Sequence, residues 1–133
     1  MEDLGIYDQL LPRTELYYEQ FMIWDKVRII FNKLGGLKNP EYLTSSQFQK
    51  LARYPGMTNQ HPDPKMRLVK AQYSLMYTEI VRKNETGLMS MEDFFTAVSI
   101  MSTKLGDPEV ESKYENLVDL VDKIETALGI ESN

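Results

Sequence analysis

The sequence predicts an all-α protein: two paired helix-loop-helix units with one additional helix at the C-terminal end. Three observations carry this. Apolar residues recur at helical spacing through most of the 133 residues. Turn signals at Gly35-Gly36, Tyr54-Pro55-Gly56, Gly87, Gly106-Asp107-Pro108 and Gly129 cut the chain into helix-sized pieces. One short segment is also used twice. Leu43-Thr44-Ser45-Ser46-Gln47-Phe48 and Met89-Ser90-Met91-Glu92-Asp93-Phe94 share an apolar residue, a hydroxyl, two spacers, an amide or acid, and Phe.

Residues 1–13 read as an arm. Leu4, Ile6, Tyr7, Leu10 and Leu11 are apolar, but Gly5 and Pro12 interrupt any regular element. Thr14 is the expected cap of a helix to about Leu34, with Tyr17, Phe21, Trp24 and Phe31 on one stripe and Ile23, Val27, Ile30 and Leu34 beside it. A short helix from Thr44 to about Tyr54 turns Phe48 and Leu51 inward. Asp63-Pro64, a cap residue followed by Pro at the first helical position, predicts a helix start that runs to Val81. Ser90 opens the next helix, to about Leu105, with Phe94, Ala97, Val98 and Met101 on one face, and Phe94 is expected to match Phe48 in the core with Trp24 packed near them. Asp107-Pro108 repeats the start signal for a last helix carrying Leu117, Val121, Ile124 and Leu128. A single helical domain over 14–128 and a loose end over 129–133 are expected.

The repeated segment matches the second half of an EF-hand loop, with an apolar residue at position 8, a hydroxyl at 9, an acid or amide at 12, then Phe. Counting back gives loops 36–47 and 82–93, the second with Gly87 at the sharp turn of position 6. Paired loops of this kind would set Leu43 beside Met89 in one short bridge. The metal chemistry is missing. Positions 1, 3 and 5 are Gly36, Lys38 and Pro40 in one loop, and Arg82, Asn84 and Thr86 in the other. Three carboxylates do not converge, and a cation at position 1 opposes an ion, so no calcium or other metal is expected at sensor concentrations. The same letters also read as two ordinary capping boxes, Thr44 with Gln47 and Ser90 with Asp93. Their duplication, each before a Phe and after a long amphipathic stretch, favours degenerate EF-hand-like pairing.

The net charge of −5 conceals a division. Residues 1–25 hold six acids and one base. Residues 26–83 hold eleven bases and three acids, and residues 84–133 eleven acids and three bases. A basic middle between acidic ends suits an acidic partner, although such charges also pair or solvate within a fold. With no Cys and one His, flanked by Gln60 and Pro62, neither thiolate chemistry, a zinc site nor a Ser-His-Asp triad can be assembled, and no phosphate-binding Gly motif occurs. No enzyme activity and no cofactor are expected. The bases are too sparse, and the sequence too acidic at a pI near 4.9, for nucleic acid. Residues 1–11 lack a basic segment before an apolar run, and no apolar run approaches membrane-spanning length, so neither a secretory signal nor a membrane span is expected.

Segments Ser46-Gln47-Phe48-Gln49-Lys50-Leu51, Tyr77-Thr78-Glu79-Ile80-Val81 and Leu88-Met89-Ser90-Met91-Glu92-Asp93-Phe94, with Ala97 a turn further on, resemble the core of the tubulin polymerization-promoting protein family. The resemblance covers about residues 17–105. It implies a calcium-independent EF-hand-like domain and association with tubulin and microtubules. The family's basic tails and Gly-rich C-terminal signature are missing, and an acidic helix follows here instead.

The expected function is non-enzymatic: a structural, microtubule-associated protein of the cytoplasm and cytoskeleton, with the axoneme of a cilium or flagellum as the narrower setting. Lys26, Lys33, Lys38, Lys50, Arg53, Lys65, Arg67, Lys70, Arg82 and Lys83 are the expected contacts to acidic tubulin or an axonemal protein. The alternative is a calcium-independent adaptor whose Met-rich groove binds an amphipathic segment of a partner. The chain's own residues 108–128 could fill such a groove.

Overall fold

The structure, a computed structural model, describes residues 13–36, 40–109 and 113–130. It is all-α: α1 is Arg13–Gly35, α2 Ser45–Gln49, α3 Lys70–Val81, α4 Met91–Leu105 and α5 Lys113–Leu128. A 3-10 turn over Lys50–Arg53 continues α2. Most of the N-terminal arm, and residues 131–133 of the loose end, lie outside the described residues.

Local chemistry sets the boundaries where the sequence was most explicit. The Thr44 Oγ1 accepts from the Gln47 amide at 3.2 Å, while the Gln47 side chain accepts from the Thr44 amide at 2.8 Å. Ser90 and Asp93 close the same reciprocal box before α4. Gly36 ends α1 at φ 69°, a left-handed conformation that costs a glycine little.

The core sits where α1, α2, α3 and α4 converge. Phe94 is fully buried, with its ring centroid 5.7 Å from Phe31 and 6.3 Å, edge-on, from Phe48. Phe48 in turn stacks against Tyr73 and Tyr77. The two repeat phenylalanines are thus equivalent and touch. Beside them the loops meet: the Leu43 amide donates to the Met89 carbonyl at 2.8 Å and the Met89 amide to the Leu43 carbonyl at 3.1 Å. This antiparallel pair is the expected bridge, and both residues are fully buried. Among the described residues no strand extends from it.

Helix α5 lies across α4 and α1, burying Leu120, Val121 and Ile124. Its start is tied to the end of α4 by Asn116, which accepts from the Asp107 amide and donates to the Asp107 carbonyl, both at 3.0 Å. Lys26 of α1 reaches Asp122 at 3.4 Å and Glu125 at 3.8 Å. At its other end Gly129 turns the chain and Ile130 folds back, its amide donating to the Glu125 carbonyl at 2.9 Å. Ile130 packs against the core, as the residue after such a C-terminal turn often does, so Gly129 and Ile130 are held by the fold.

Three expectations are corrected. Asp63-Pro64 starts a single turn only, and α3 begins at Lys70. Leu68 is drawn into the core, and its amide and carbonyl both bond to Asn59, which withdraws them from a helical ladder. Val69 then caps α3, its amide donating to the Gln72 side chain. Trp24 does not join the Phe48–Phe94 cluster. It stays 38% exposed and lies against Phe95, 5.2 Å between ring centres. Finally, Pro108 and Glu109 form a turn and not helix, with Asp107 accepting from the Glu109 amide, and the described part of α5 begins at Lys113.

Because Phe94 is shared by α1, α2 and α4, its truncation leaves a cavity that no single neighbour can fill. Phe94→Ala should cost about 3–5 kcal/mol in urea denaturation, whereas Trp24→Ala at the rim should cost markedly less.

Candidate functional site

Two places carry chemistry: the loop pair around the bridge, and the basic connection between α2 and α3. In loop 82–93, Gly87 takes φ 66° at the sharp turn. The Asn84 Nδ2 donates to the Asp93 Oδ2 at 2.6 Å and to the Leu88 carbonyl at 2.9 Å. The Asp93 Oδ2 also accepts from the Ser90 amide at 3.3 Å, and the Lys83 ammonium stands 3.6 Å from Oδ1. Asp93 is 5% exposed. Burial pushes its carboxyl up, but the Asn84 and Ser90 hydrogen bonds and the Lys83 charge outweigh that and hold it below the usual Asp range. A cleft of about 430 Å³ opens beside this group, walled by Tyr42, Lys83, Glu85, Thr86 and Glu92.

Loop 36–47 is held differently. The Gln47 Nε2 donates to the Gly35 carbonyl at 3.1 Å, joining the end of α1 to the start of α2. Between the loops, the Tyr77 hydroxyl donates to the Leu43 carbonyl at 2.6 Å and so braces the bridge from α3. Burial raises the Tyr77 phenol above its ordinary value, partly opposed by a backbone hydrogen bond. Among the described residues no three His, Asp or Glu side chains converge as a metal site would require.

The connection 54–69 is exposed yet tightly held. Asn59 is its hub: its Nδ2 donates to the Met66 and Lys104 carbonyls, both at 3.0 Å, and its Oδ1 accepts from the Leu68 amide at 2.8 Å. Arg67 donates to the His61 and Pro62 carbonyls, each at 2.9 Å, and the Tyr73 hydroxyl to the Met57 carbonyl. The Lys104 ammonium reaches the Lys65 carbonyl at 2.5 Å. Residues 50–70 hold five bases and only Asp63 as an acid.

The ten expected contact residues divide accordingly. Lys26, Arg67 and Lys83 are engaged within the fold, with α5, the connection and Asp93 respectively. Arg82 pairs with Glu79 at 3.0 Å on the surface. Among the described residues Lys33, Lys50, Arg53, Lys65 and Lys70 make no ion pair and are exposed. Lys38 lies outside the described residues. Four of these five flank one connection, Lys50 and Arg53 entering it and Lys65 and Lys70 leaving it. Sequence reasoning missed Asn59 and Asn84. Asn84 occupies position 3 of the expected loop 82–93, a signal that was available, whereas Asn59 has partners up to 45 residues away and no local signature.

Against protein-family models, curated proteins and solved structures the chain finds no match. Among the described residues no helix is long and apolar enough to cross a membrane.

The Asp93 carboxyl fixes a pH dependence. A group whose folded-state ionisation is depressed adds stability above the ordinary Asp range, near pH 4, and loses it as pH falls through the lower folded value. The difference in urea midpoint between the wild-type chain and Asp93→Asn should therefore be full at neutral pH and shrink below about pH 4.

Proposed function

We propose that this is a non-enzymatic, microtubule-associated structural protein that meets an acidic surface of tubulin, or of an axonemal partner, through charge and shape and without calcium. The observation that supports it most is the connection 54–69. It is braced from within by Asn59 and Arg67, and it is flanked by Lys50, Arg53, Lys65 and Lys70, which make no ion pair among the described residues. Rigid backbone beneath exposed charge limits the entropy lost on binding. The resemblance of residues 17–105 to the tubulin polymerization-promoting protein core adds to the reading and supplies the partner. The two helix-loop-helix units are read as an EF-hand-like pair on the strength of the Leu43–Met89 bridge and the matching Phe48 and Phe94.

The adaptor alternative needs an open groove. Here α5 covers α1 and α4 with Leu120, Val121 and Ile124, so a partner's helix would first have to displace a tethered one.

Co-sedimentation with microtubules over a salt series tests the proposal. Binding at low salt should fall as the Debye length shrinks from about 10 Å at 0.1 M towards 3 Å at 1 M. The variant Lys50→Glu/Arg53→Glu/Lys65→Glu/Lys70→Glu should weaken it without lowering thermal stability much, because none of the four supports the core. Arg67 is left in place because it holds the connection. Unchanged low-salt binding by this variant would reject the electrostatic mechanism.

A further inference from the structure

In a calcium loop the carbonyl of position 7 and the carboxylate of position 12 both face the ion. In loop 82–93 these are the Leu88 carbonyl and the Asp93 carboxylate, and both accept instead from one nitrogen, the Nδ2 of Asn84 at position 3. The second carboxylate oxygen faces the Lys83 ammonium at 3.6 Å. Two oxygens that would face an ion in a calcium loop thus converge on one point, with Gly87 in its left-handed turn, while the loop's own side chains supply the positive charge and the polarised N–H groups.

We infer that the Asn84 carboxamide, backed by Lys83, takes the place of a divalent ion in loop 82–93 and holds the loop in the arrangement an ion would otherwise impose. Unlike a bound ion, this surrogate cannot dissociate, so the Leu43–Met89 bridge is held in one state at every calcium concentration. The acid that a metal would neutralise is neutralised from within. That is why Asp93 can be buried beside Met89 and Phe94, which are fully buried, without a partner from outside the chain. The inference rests on reading 82–93 as a calcium-type loop and not on any microtubule contact, so its failure and that of the proposed function are separate results.

The test uses the full chain. In the wild type, the two Nδ2 protons of Asn84, followed by NMR, should exchange with solvent at least about tenfold more slowly than those of the exposed Gln60. The variant Lys83→Gln/Asn84→Asp removes the internal cation and sets a second carboxylate against Asp93. It should melt below the wild type in EDTA and recover on adding millimolar CaCl2, the range of weak protein sites. Wild-type melting should not respond to CaCl2. The control Lys83→Gln/Asn84→Ala should lose stability without recovery. Asn84 protons that exchange as fast as those of Gln60, or recovery that is equal in the Ala control, would overturn the assignment. So would a folded Asp variant whose melting ignores CaCl2. Should the Asp variant not fold even with calcium, the exchange rates in the wild type decide alone.

Discussion

The rest of the structure depends on one pair of backbone hydrogen bonds, between Leu43 and Met89. An isolated two-residue bridge has no ladder to share its cost and survives only because it is dry and braced. Leu43 and Met89 are fully buried, and the Leu43 carbonyl accepts a second hydrogen bond from the Tyr77 hydroxyl. Each bridge residue stands one position before a helix cap, so the bridge fixes where α2 and α4 start and how they face. Phe48 and Phe94 follow five residues later in each segment, and their contact is a consequence of that placement. Burial of this aromatic group adds to the favourable energy of the core, and the bridge gives it a single geometry.

Around this centre the chain satisfies polar groups with side-chain amides. Gln47, Asn59, Asn84 and Asn116 each join two segments by bonding backbone atoms or a buried carboxylate. Carboxamides offer donor and acceptor in one neutral group, so they bridge loops without the desolvation cost of a buried ion pair. Among the described residues the charged side chains are left on the surface, apart from Asp93 and Glu125, each with a lysine near it. This arrangement is compatible with the proposed recognition through surface charge.

The sequence made much of this legible, and the failures have physical causes. Both capping boxes, α4 and the turn at Gly87 could be read because each is determined by residues within a few positions of one another, and the bridge because the repeated segment marks both of its ends. The start of α3 could not. Asp63-Pro64 is a sound local signal that one turn satisfies, after which tertiary burial of Leu68 overrides it. Trp24 was misplaced because α1 is apolar over more than half its circumference, and periodicity cannot say which arc is covered; Ile23, Val27 and Ile30 are buried, whereas Trp24 stays at the rim. The charged residues were the least legible. Lys26 and Lys33 look alike in sequence, yet one is held near two carboxylates of a helix almost a hundred residues away.

Hydrogen exchange at the bridge tests this picture most directly. In EDTA, the amide protons of Leu43 and Met89 should exchange as slowly as those of Val98 and Met101 in the middle of α4, since opening the bridge would require opening the core around it. Exchange as fast as in the exposed connection around His61, or protection that develops only when calcium is added, would contradict a bridge held by the chain's own side chains.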